Sequence, residues 1–171
     1  LARIEPDYTY DPNRAEKISA QVQPYLEKMF NAAQDDQISL FVKSAYRSFE
    51  EQKALKGAYT ITYGAGTANA FSADQGYSEH QLGTTVDFTT AKLGNNFANF
   101  AQDKAYTWLL SNAHKYGFVL SYPDGNSYYK FEPWHWRFVG VNLARRLHDD
   151  GKHFYDLDQR EIDTYLIKLF E

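Results

Sequence analysis

With 171 residues, 43% of them hydrophobic, the chain is long enough to bury a sizeable core in a single domain, which we expect to span residues 1–171. A formal net charge of −4, with no basic cluster larger than the pair Arg145-Arg146, excludes the electrostatic footprint of a nucleic-acid-binding protein. The sequence has no apolar run as long as a membrane span, and its lack of cysteine excludes disulfides and thiolate zinc sites.

The N-terminal part of the sequence predicts a helix followed by a strand. Asp11-Pro12 is typical of an N-cap with proline at the first helical position, and apolar residues at helical spacing extend this helix to about Ala33. Pro24 lies inside the pattern, where it kinks the helix or divides it into two. β-Branched and aromatic residues over 38–44 then predict a strand.

A second helix is predicted after this strand. Ser48, with Glu51 three residues later, forms a capping-box pattern at its start. Arg47 lies at the junction of strand and helix, where its side chain either projects into a cleft or forms a surface ion pair with a carboxylate. The small and polar residues over 57–75 show no periodicity, so we expect a long loop near the site, and a gate over the cleft is one interpretation of it.

Residues 84–89 alternate as a strand, with Val86 and Phe88 on its core face. Asp87 then lies on the opposite face. Its carboxylate either faces a cleft or, as is common for a lone aspartate, lies on a solvated surface.

A core helix, a hairpin and two more helices complete the predicted elements. They are a helix capped by Asn96 or Asn99 and ending at Gly117, strands over 118–122 and 128–131 joined by a turn at 123–126, a helix over 139–148 and a last helix capped by Asp158. The hairpin is expected to deliver Glu132 and His135 to one end of the sheet. We interpret His114 as a structural imidazolium at a helix C-terminus, and His148 and His153, which have no partner pattern in the sequence, as surface residues.

The histidines and acidic residues near two of these strands have the spacing of metal ligands. His80 and Asp87 stand seven residues apart on either side of Gly83, and His135 follows Glu132 by three residues. Two neutral imidazoles and one carboxylate leave one position open on a tetrahedral zinc ion, as in catalytic zinc sites. We therefore expect one zinc ion, held by His80, Asp87 and His135, that lowers the pKa of a water molecule toward neutrality. Manganese or cobalt would fit the same ligands.

Other polar residues near the expected ligands suit a hydrolase. Glu132 is either the base that takes the water's proton and returns it to a leaving amine, or a group that orients His135. Arg47 would stabilise the oxyanion of the tetrahedral intermediate. The polar groups near these motifs that would hydrogen-bond a peptide carbonyl or carboxylate are Ser78, Tyr77 and Gln52.

Three motifs occur in order: Tyr46-Arg47-Ser48, Ser78-x-His80-x-x-Gly83-x-x-x-Asp87 and Glu132-x-Trp134-His135. Through them the chain, over roughly residues 38–140, resembles the VanY-type D-alanyl-D-alanine carboxypeptidases, within the wider group that includes lysostaphin-like enzymes and hedgehog domains. The resemblance implies an α+β fold with a small central antiparallel sheet flanked by helices. Two departures, Thr85 in place of a common alanine and Ala45 in place of a frequent glycine, remove no ligand.

The resemblance also implies roles for the site residues. His80, Asp87 and His135 would bind zinc, Glu132 would be the general base, and Arg47 would orient the substrate and stabilise the transition state. Ser78 and Gln52 would hold the terminal residue of the substrate. The implied activity is removal of the terminal D-alanine from peptidoglycan stem peptides, and we expect a monomer.

Two alternatives stay open at this point. One is a peptidoglycan endopeptidase of the same chemistry, and the other is a catalytically silent, zinc-containing module that binds the cell wall. We expect a bacterial protein of the cell envelope or a secreted one, because its substrate lies there and the lack of cysteine suits an oxidising space. Leu1 opens the chain without the pattern of a signal peptide or an anchor, which leaves export undecided.

Overall fold

The computed structural model describes residues 1–64 and 72–166. Within these ranges the helices are α1 (Gln23–Asp35), α2 (Phe49–Tyr63), α3 (Lys104–Asn112), α4 (Val141–Asp150) and α5 (Gln159–Leu166). The strands are β1 (Ala2–Arg3), β2 (Lys17–Ile18), β3 (Phe41–Ser44), β4 (Thr85–Thr89), β5 (Phe118–Leu120) and β6 (His135–Phe138). None of these helices combines the length and the apolar character that crossing a membrane requires.

The central sheet has four strands in the order β3-β4-β6-β5, and every neighbouring pair is antiparallel. The register of β3 against β4 shifts between Val42 and Ser44, so a bulge interrupts β3 close to its end. β1 and β2 pair separately in a two-stranded sheet. This arrangement confirms the predicted α+β class with a small antiparallel sheet.

The predicted alternation of β4 is confirmed, and it fixes the two faces of the sheet. Val86 and Phe88 are fully buried in the main hydrophobic cluster, where the ring of Phe88 meets the ring of Phe30 from α1 edge-on with centroids 6.0 Å apart. Asp87 lies on the other face and is 8% exposed. The interpretation of Asp87 as a solvated surface residue is therefore wrong.

The capping box at the start of α2 is confirmed. The Ser48 hydroxyl accepts a hydrogen bond from the backbone N–H of Glu51 at 3.3 Å, and the Glu51 carboxylate accepts one from the backbone N–H of Ser48 at 2.7 Å. Two backbone donors that the first helical turn leaves free are thus satisfied. The cap fixes where the helix leaves β3, and so where Arg47 lies.

The first predicted helix begins eleven residues too early. Residues 11–22 form turns and strand β2, in which Ile18 pairs with Ala2, and α1 begins at Gln23. Pro24 lies in the first turn of α1, where its missing N–H costs no hydrogen bond. Pro24 thus marks the start of α1. The apolar residues before it continue the helical spacing, so the sequence pattern predicted an earlier start.

The predicted loop over 57–75 is wrong in its first part. α2 continues through Gly57 to Tyr63 and ends at Gly64, whose φ is +82°. A glycine inside a helix costs only about 1 kcal/mol, and no proline interrupts 49–63, so the helix propagates past Gly57. The interpretation of this loop as a gate falls mainly on residues 65–71, which lie outside the described residues.

The predicted core helix is divided, and the predicted hairpin has a different partner strand. Asp103, rather than Asn96 or Asn99, caps α3 by accepting a hydrogen bond from the N–H of Ala105 at 2.9 Å. Gly117, with φ +85°, ends the following 3-10 turn as predicted.

Residues 128–131 form no strand, because the Asn126 side chain takes the backbone N–H groups of residues 128 and 129. The partner of β5 is β6.

A second hydrophobic cluster lies under the C-terminal segment. α4 begins and ends close to the predicted bounds, and Gly151, with φ +63°, closes it. This cluster joins β5 and the end of β6 to α4 and to the short 3-10 turn that follows it; its buried members are Val119, Val139, Leu143, Ala144, Leu147 and Phe154. The C-terminal segment is therefore fastened to the same sheet that carries Asp87.

Candidate metal centre and cleft

Strand register brings two of the predicted ligands together. Asp87 of β4 and His135 of β6 are direct cross-strand partners. His80 lies on a 3-10 turn, Glu79–Leu82, just before β4, and Gly83 ends that turn with φ +70° so that the chain can enter the strand. The three side chains meet at one point although the sequence separates them by up to 55 positions.

The ligand atoms of His80, Asp87 and His135 all lie within 4.8 Å of one another. Nε2 of His80 is 3.3 Å from Oδ2 of Asp87, and Nδ1 of His135 is 3.0 Å from Oδ1 of Asp87. All three residues are buried. Two imidazole nitrogens and a carboxylate oxygen at such spacing fit a zinc ion with one open position.

Hydrogen bonds on the far side of each ring select the nitrogen that faces the ion. Nδ1 of His80 donates to the carbonyl of Ala45 at 2.7 Å, which leaves Nε2 free as a ligand. Nε2 of His135 donates to Oε2 of Glu79 at 2.8 Å, which leaves Nδ1 facing Asp87. Partners of this kind orient metal ligands in proteins.

The charges in the centre suit a cation. Burial disfavours the ionised form of Asp87, but the adjacent His80 and His135 outweigh it and hold the pKa of Asp87 well below its usual range. Burial lowers the pKa of His80. Burial also opposes protonation of His135, yet its hydrogen bonds to Asp87 and Glu79 raise its pKa to about 10. In the metal-free centre His135 is therefore an imidazolium, and a metal ion must displace its Nδ1 proton.

Glu132 lies beside the ligands. Its Oε2 atom is 3.7 Å from Nδ1 of His135, and its backbone is fixed in a turn by bonds to the carbonyl of Tyr122 and the N–H of His135. Burial, assisted by the charge of Asp87, raises the pKa of Glu132 to about 7, although His135 opposes the shift. A carboxyl group that titrates near neutrality can both take up and release a proton at working pH.

Arg47 is held by neutral side chains. Its guanidinium donates to Oε1 of Gln52 at 2.7 Å and to Oγ of Ser44 at 3.2 Å, and its backbone N–H donates to the carbonyl of His80 at 3.2 Å. Gln52 is itself buried and donates to the carbonyl of Ala73 at 2.7 Å. Within the described residues, this is not the surface ion pair considered as the alternative for Arg47.

These groups line one cleft of about 150 Å³. Its wall contains the ligands and the predicted residues Glu132, Arg47, Gln52 and Ser78, together with Leu55, Tyr59, Ser72, Ala73, Glu79, Tyr122, Tyr129 and Trp134. Tyr77 is not part of this wall, and its side chain is 84% exposed. The motif did not show which way the Tyr77 side chain points, because Tyr77 directly follows Gly76.

Glu79 is the residue at this centre that sequence reasoning missed. It is 5% exposed, and its carboxylate accepts hydrogen bonds from His135, Arg137 and Tyr155. Burial opposes its ionisation, but the bond and charge of His135 and the charge of Arg137 hold its pKa well below the usual range. Its position directly before His80 was the only local signal, and glutamate is otherwise expected at the surface.

The remaining histidines lie outside this cleft. His148 is exposed, as predicted, and its ring stacks on that of His114 with centroids 3.6 Å apart. Burial, and then the charges of His148 and Lys115, lower the pKa of His114, which disfavours the imidazolium form expected at this helix end. His153 is exposed, as predicted, and precedes the 3-10 turn Phe154–Asp156.

A protein-family model described as VanY: D-alanyl-D-alanine carboxypeptidase matches residues 15–141. Among characterised sequences, the D-alanyl-D-alanine carboxypeptidase of Enterococcus faecalis is 31% identical over 152 residues, which cover 81% of this chain and 54% of that protein. The chain thus spans about half the length of this curated relative.

Two solved structures resemble the fold closely. A variant of the vancomycin-resistance D,D-pentapeptidase VanY, in complex with Zn(II), superposes with a TM-score of 0.74 at 28% identity, covering 90% of this chain and 92% of that one. The L,D-carboxypeptidase DacB of Streptococcus pneumoniae superposes with a TM-score of 0.71 at 30% identity, covering 90% and 80%. Both likenesses extend well beyond the three sequence motifs.

Proposed function

Since the chain belongs to the VanY family of D-alanyl-D-alanine carboxypeptidases, we propose that it is a single zinc peptidase domain that removes the terminal D-alanine from peptidoglycan stem peptides. The observation that carries the proposal is the convergence of His80, Asp87 and His135, with ligand atoms within 4.8 Å of one another, beside Glu132 in one cleft. The solved relative that contains Zn(II) supports zinc as the ion.

Zinc bound by Nε2 of His80, the Asp87 carboxylate and Nδ1 of His135 would supply Lewis-acid polarisation of a carbonyl and a lowered pKa for water. The protein's part is to keep these atoms converged. The bonds from His80 to the Ala45 carbonyl and from His135 to Glu79 do this by holding each ring through its other nitrogen.

Glu132 is proposed as the general base. Its carboxylate takes a proton from the attacking water as oxygen adds to the scissile carbonyl carbon, and it returns that proton to the amine of the departing D-alanine when the C–N bond breaks. In the metal-free centre burial already raises the pKa of Glu132 to about 7, and its Oε2 atom lies 3.7 Å from Nδ1 of His135, beside the three ligands.

Arg47 is proposed to bind negative charge on the substrate. Its guanidinium is oriented by Gln52 and Ser44, neither of which neutralises it, so the charge is available to the oxyanion or the substrate's terminal carboxylate. Ser78 lines the same cleft and is proposed, with Gln52, to hold the terminal residue.

Removal of a terminal residue requires a cleft that ends near a cation, and this feature favours a carboxypeptidase over an endopeptidase. Gln52 joins Arg47 to the segment at 72–73, through the carbonyl of Ala73 at 2.7 Å and the hydroxyl of Ser72 at 3.4 Å. That segment lines the cleft beside Arg47. We propose that this segment closes the cleft beyond the terminal residue of the substrate.

The test is mass spectrometry of zinc-loaded protein incubated separately with a stem pentapeptide, the matching tetrapeptide and a cross-linked muropeptide. Loss of one terminal alanine from the pentapeptide or the tetrapeptide is the expected result, and the substrate that loses it identifies D,D- or L,D-specificity. Cleavage only inside the peptide would replace the proposal with an endopeptidase. No cleavage by zinc-loaded protein would favour the cell-wall-binding module.

We propose further that the protein acts as a monomer on the extracytoplasmic side of a bacterial membrane, in the cell envelope or after secretion. The proposed substrate supports this location, because peptidoglycan stem peptides in the wall lie outside the membrane. Fractionation of the source cells, followed by immunoblotting with an antibody to the chain, would check it.

A further inference from the structure

The Glu79 carboxylate is bound at both oxygens. Oε2 accepts from Nε2 of His135 at 2.8 Å, while Oε1 accepts from Nη1 of Arg137 at 2.9 Å and from the hydroxyl of Tyr155 at 2.6 Å. Burying a carboxylate is costly unless such donors surround it. The two donors to Oε1 therefore hold Glu79 in the orientation in which Oε2 reaches His135.

We propose that Tyr155, acting through Glu79, is a positioning residue that holds the imidazole of His135 with Nδ1 toward the metal. The inference rests on the proposed function in taking His135 as a ligand. Tyr155 lies after residue 141, where the match to the family model ends. The C-terminal segment thereby contributes to the metal centre without lining it.

The packing of this segment keeps the Tyr155 hydroxyl in place. The neighbouring Phe154 is buried in the second cluster, and the Arg137 guanidinium lies over its ring, 4.3 Å from the centroid. The backbone N–H of His153 donates to the Asp156 carboxylate at 2.8 Å, which closes the short turn that carries both aromatic residues.

An aromatic stack covers one face of the His135 ring. The ring of Tyr122 stacks on His135 with centroids 4.8 Å apart, and the ring of Tyr155 lies parallel to Tyr122 with centroids 6.1 Å apart. Tyr155 thus reaches His135 by two routes, through the Glu79 carboxylate and through the Tyr122 ring. Removing its hydroxyl alone breaks only the first route.

The experiment uses the full chain with Tyr155→Phe, and Tyr128→Phe as the matched control. Because the Tyr155 ring is 42% exposed, the substitution removes a hydroxyl without opening a cavity in the core. Tyr128 lies against Tyr155, with centroids 5.0 Å apart, but its hydroxyl is not among the three donors to Glu79 described above. Zinc affinity is measured by competition with a chromophoric chelator, alongside the thermal midpoint of each variant.

The expected result is zinc binding about 10-fold weaker in Tyr155→Phe, the lower end of the range for loss of a ligand's supporting bond, and unchanged in Tyr128→Phe. In the Glu79→Gln background, Tyr155→Phe should have no further effect, since its route to His135 is already altered. Wild-type zinc affinity in Tyr155→Phe would overturn the inference, as would a lowered thermal midpoint with unchanged affinity, the result expected of a purely structural bond.

A second readout separates this inference from the proposed function. In metal-free protein, ¹H–¹⁵N NMR of the His135 ring reports its Nε2–H proton, whose downfield shift and slow exchange reflect the bond to Glu79. Tyr155→Phe should shift this signal upfield and speed its exchange even if the wild-type protein proved to bind no zinc or to cleave no peptide. An unchanged Nε2–H signal would refute the positioning role whatever the activity.

Discussion

His80 and His135 present different ring nitrogens to the same point because the other nitrogen of each ring has its own acceptor. His80 uses Nε2, since Nδ1 is bound to the Ala45 carbonyl, and His135 uses Nδ1, since Nε2 is bound to Glu79. The two rings meet nearly at right angles, 84° apart, with centroids separated by 5.0 Å. Their lone pairs can therefore converge on one ion without the rings clashing.

His80→Ala is expected to abolish both zinc binding and hydrolysis, because two ligands in a solvent-accessible cleft hold zinc far more weakly than three. The measurement is metal content by inductively coupled plasma mass spectrometry after dialysis against buffer with a low concentration of zinc. His153→Ala, which removes an exposed histidine, is the control and should retain the metal. A zinc content equal to that of the wild type in His80→Ala would overturn the ligand set.

Asp87 and Glu132 are two carboxylates near one histidine with opposite pKa shifts. Burial disfavours the ionised form of Asp87, but the two histidines outweigh this effect and hold the pKa of Asp87 low. Burial raises the pKa of Glu132 to about 7. Environments that shift the pKa values of two carboxyl groups in opposite directions assign one group to a charged role and the other to proton transfer.

Glu132→Gln is therefore expected to keep zinc and to lower kcat by about 10²–10⁴-fold, the usual contribution of a general base. The amide keeps the volume of the side chain and cannot take the water's proton. Activity is read from alanine release from the cleaved peptide, and metal content is measured in the same preparation. Undiminished turnover would refute the base assignment, and loss of zinc would indicate that Glu132 orients the ligands instead.

The turn between His80 and β4 requires a glycine. Gly83 has a φ of +70°, and its backbone is committed on both sides: its N–H bonds the carbonyl of His80 at 3.3 Å, and its carbonyl accepts from the N–H of Ser19 at 2.7 Å. A Cβ built at this position would lie 3.5 Å from the Ser19 nitrogen. This short element decides where His80 lies relative to Asp87.

Gly83→Ala is expected to lower the free energy of unfolding by about 1–2 kcal/mol, the cost of a left-handed residue that carries a Cβ, and to weaken zinc binding as well. Gly125→Ala is a close match, since its φ is +75° and a Cβ there would meet nothing within 4 Å. Urea unfolding and chelator competition on both variants give the test. If both lowered stability and neither changed zinc affinity, the turn would have no role in placing His80.

Elements with local signals were predictable from the sequence. The Ser48–Glu51 box and the alternation of Val86, Asp87 and Phe88 each depend on residues within a few positions, and both are confirmed. The strand at 128–131 was wrong because the Asn126 side chain captures the backbone donors that a ladder would need. Pairing of β5 with β6, across an intervening loop, depends on the tertiary fold.

The site shows the same division. The ligand pattern was visible in the sequence because the three ligands and Glu132 fall into short motifs. The hydrogen-bond partners of Glu79 could not be read from the sequence. Its three donors come from positions 56 to 76 residues away, and only the folded sheet and C-terminal segment bring them together. No spacing rule for metal ligands contains that information.

Across the whole molecule, two hydrophobic clusters share the central sheet. The larger joins α1, α3 and the sheet, and the smaller joins the edge strand β5 to α4 and the C-terminal segment. The stacked pair of His114 and His148 joins the 3-10 turn at Ala113–Tyr116 to α4, and lines a cavity of about 200 Å³ with mainly apolar walls. The pair thus links the 3-10 turn that carries Ala113 of the larger cluster to the helix that carries Leu147 of the smaller one.

The contribution of His114 to the stability of the metal-free protein is expected to fall as pH decreases below about 6.5. Burial lowers the pKa of His114 in the folded state, as do the charges of His148, Lys115 and Arg145, while Asp149 opposes them. The unfolded chain, with a histidine pKa of about 6.5, then binds the proton first. Stability rises with pH wherever the unfolded state holds more protons than the folded state. The stabilising contribution of His114 is therefore complete above the pKa of the unfolded histidine and is lost as pH falls toward the lower pKa of His114 in the folded protein.

The measurement is the thermal midpoint at pH 7.5 and pH 5.5 in the presence of a chelator, for wild type, His114→Phe and His153→Gln. Nδ1 of His114 is buried without a hydrogen-bond partner among the described residues, so a phenyl ring can take its place against His148 without stranding a polar group. Relative to the wild type, His114→Phe should have a higher midpoint at pH 5.5 than the difference between the two proteins at pH 7.5 would give, whereas His153→Gln should change with pH as the wild type does. Equal changes in midpoint between the two pH values in all three proteins would mean that His114 does not couple proton binding to folding, and that other groups account for the pH dependence.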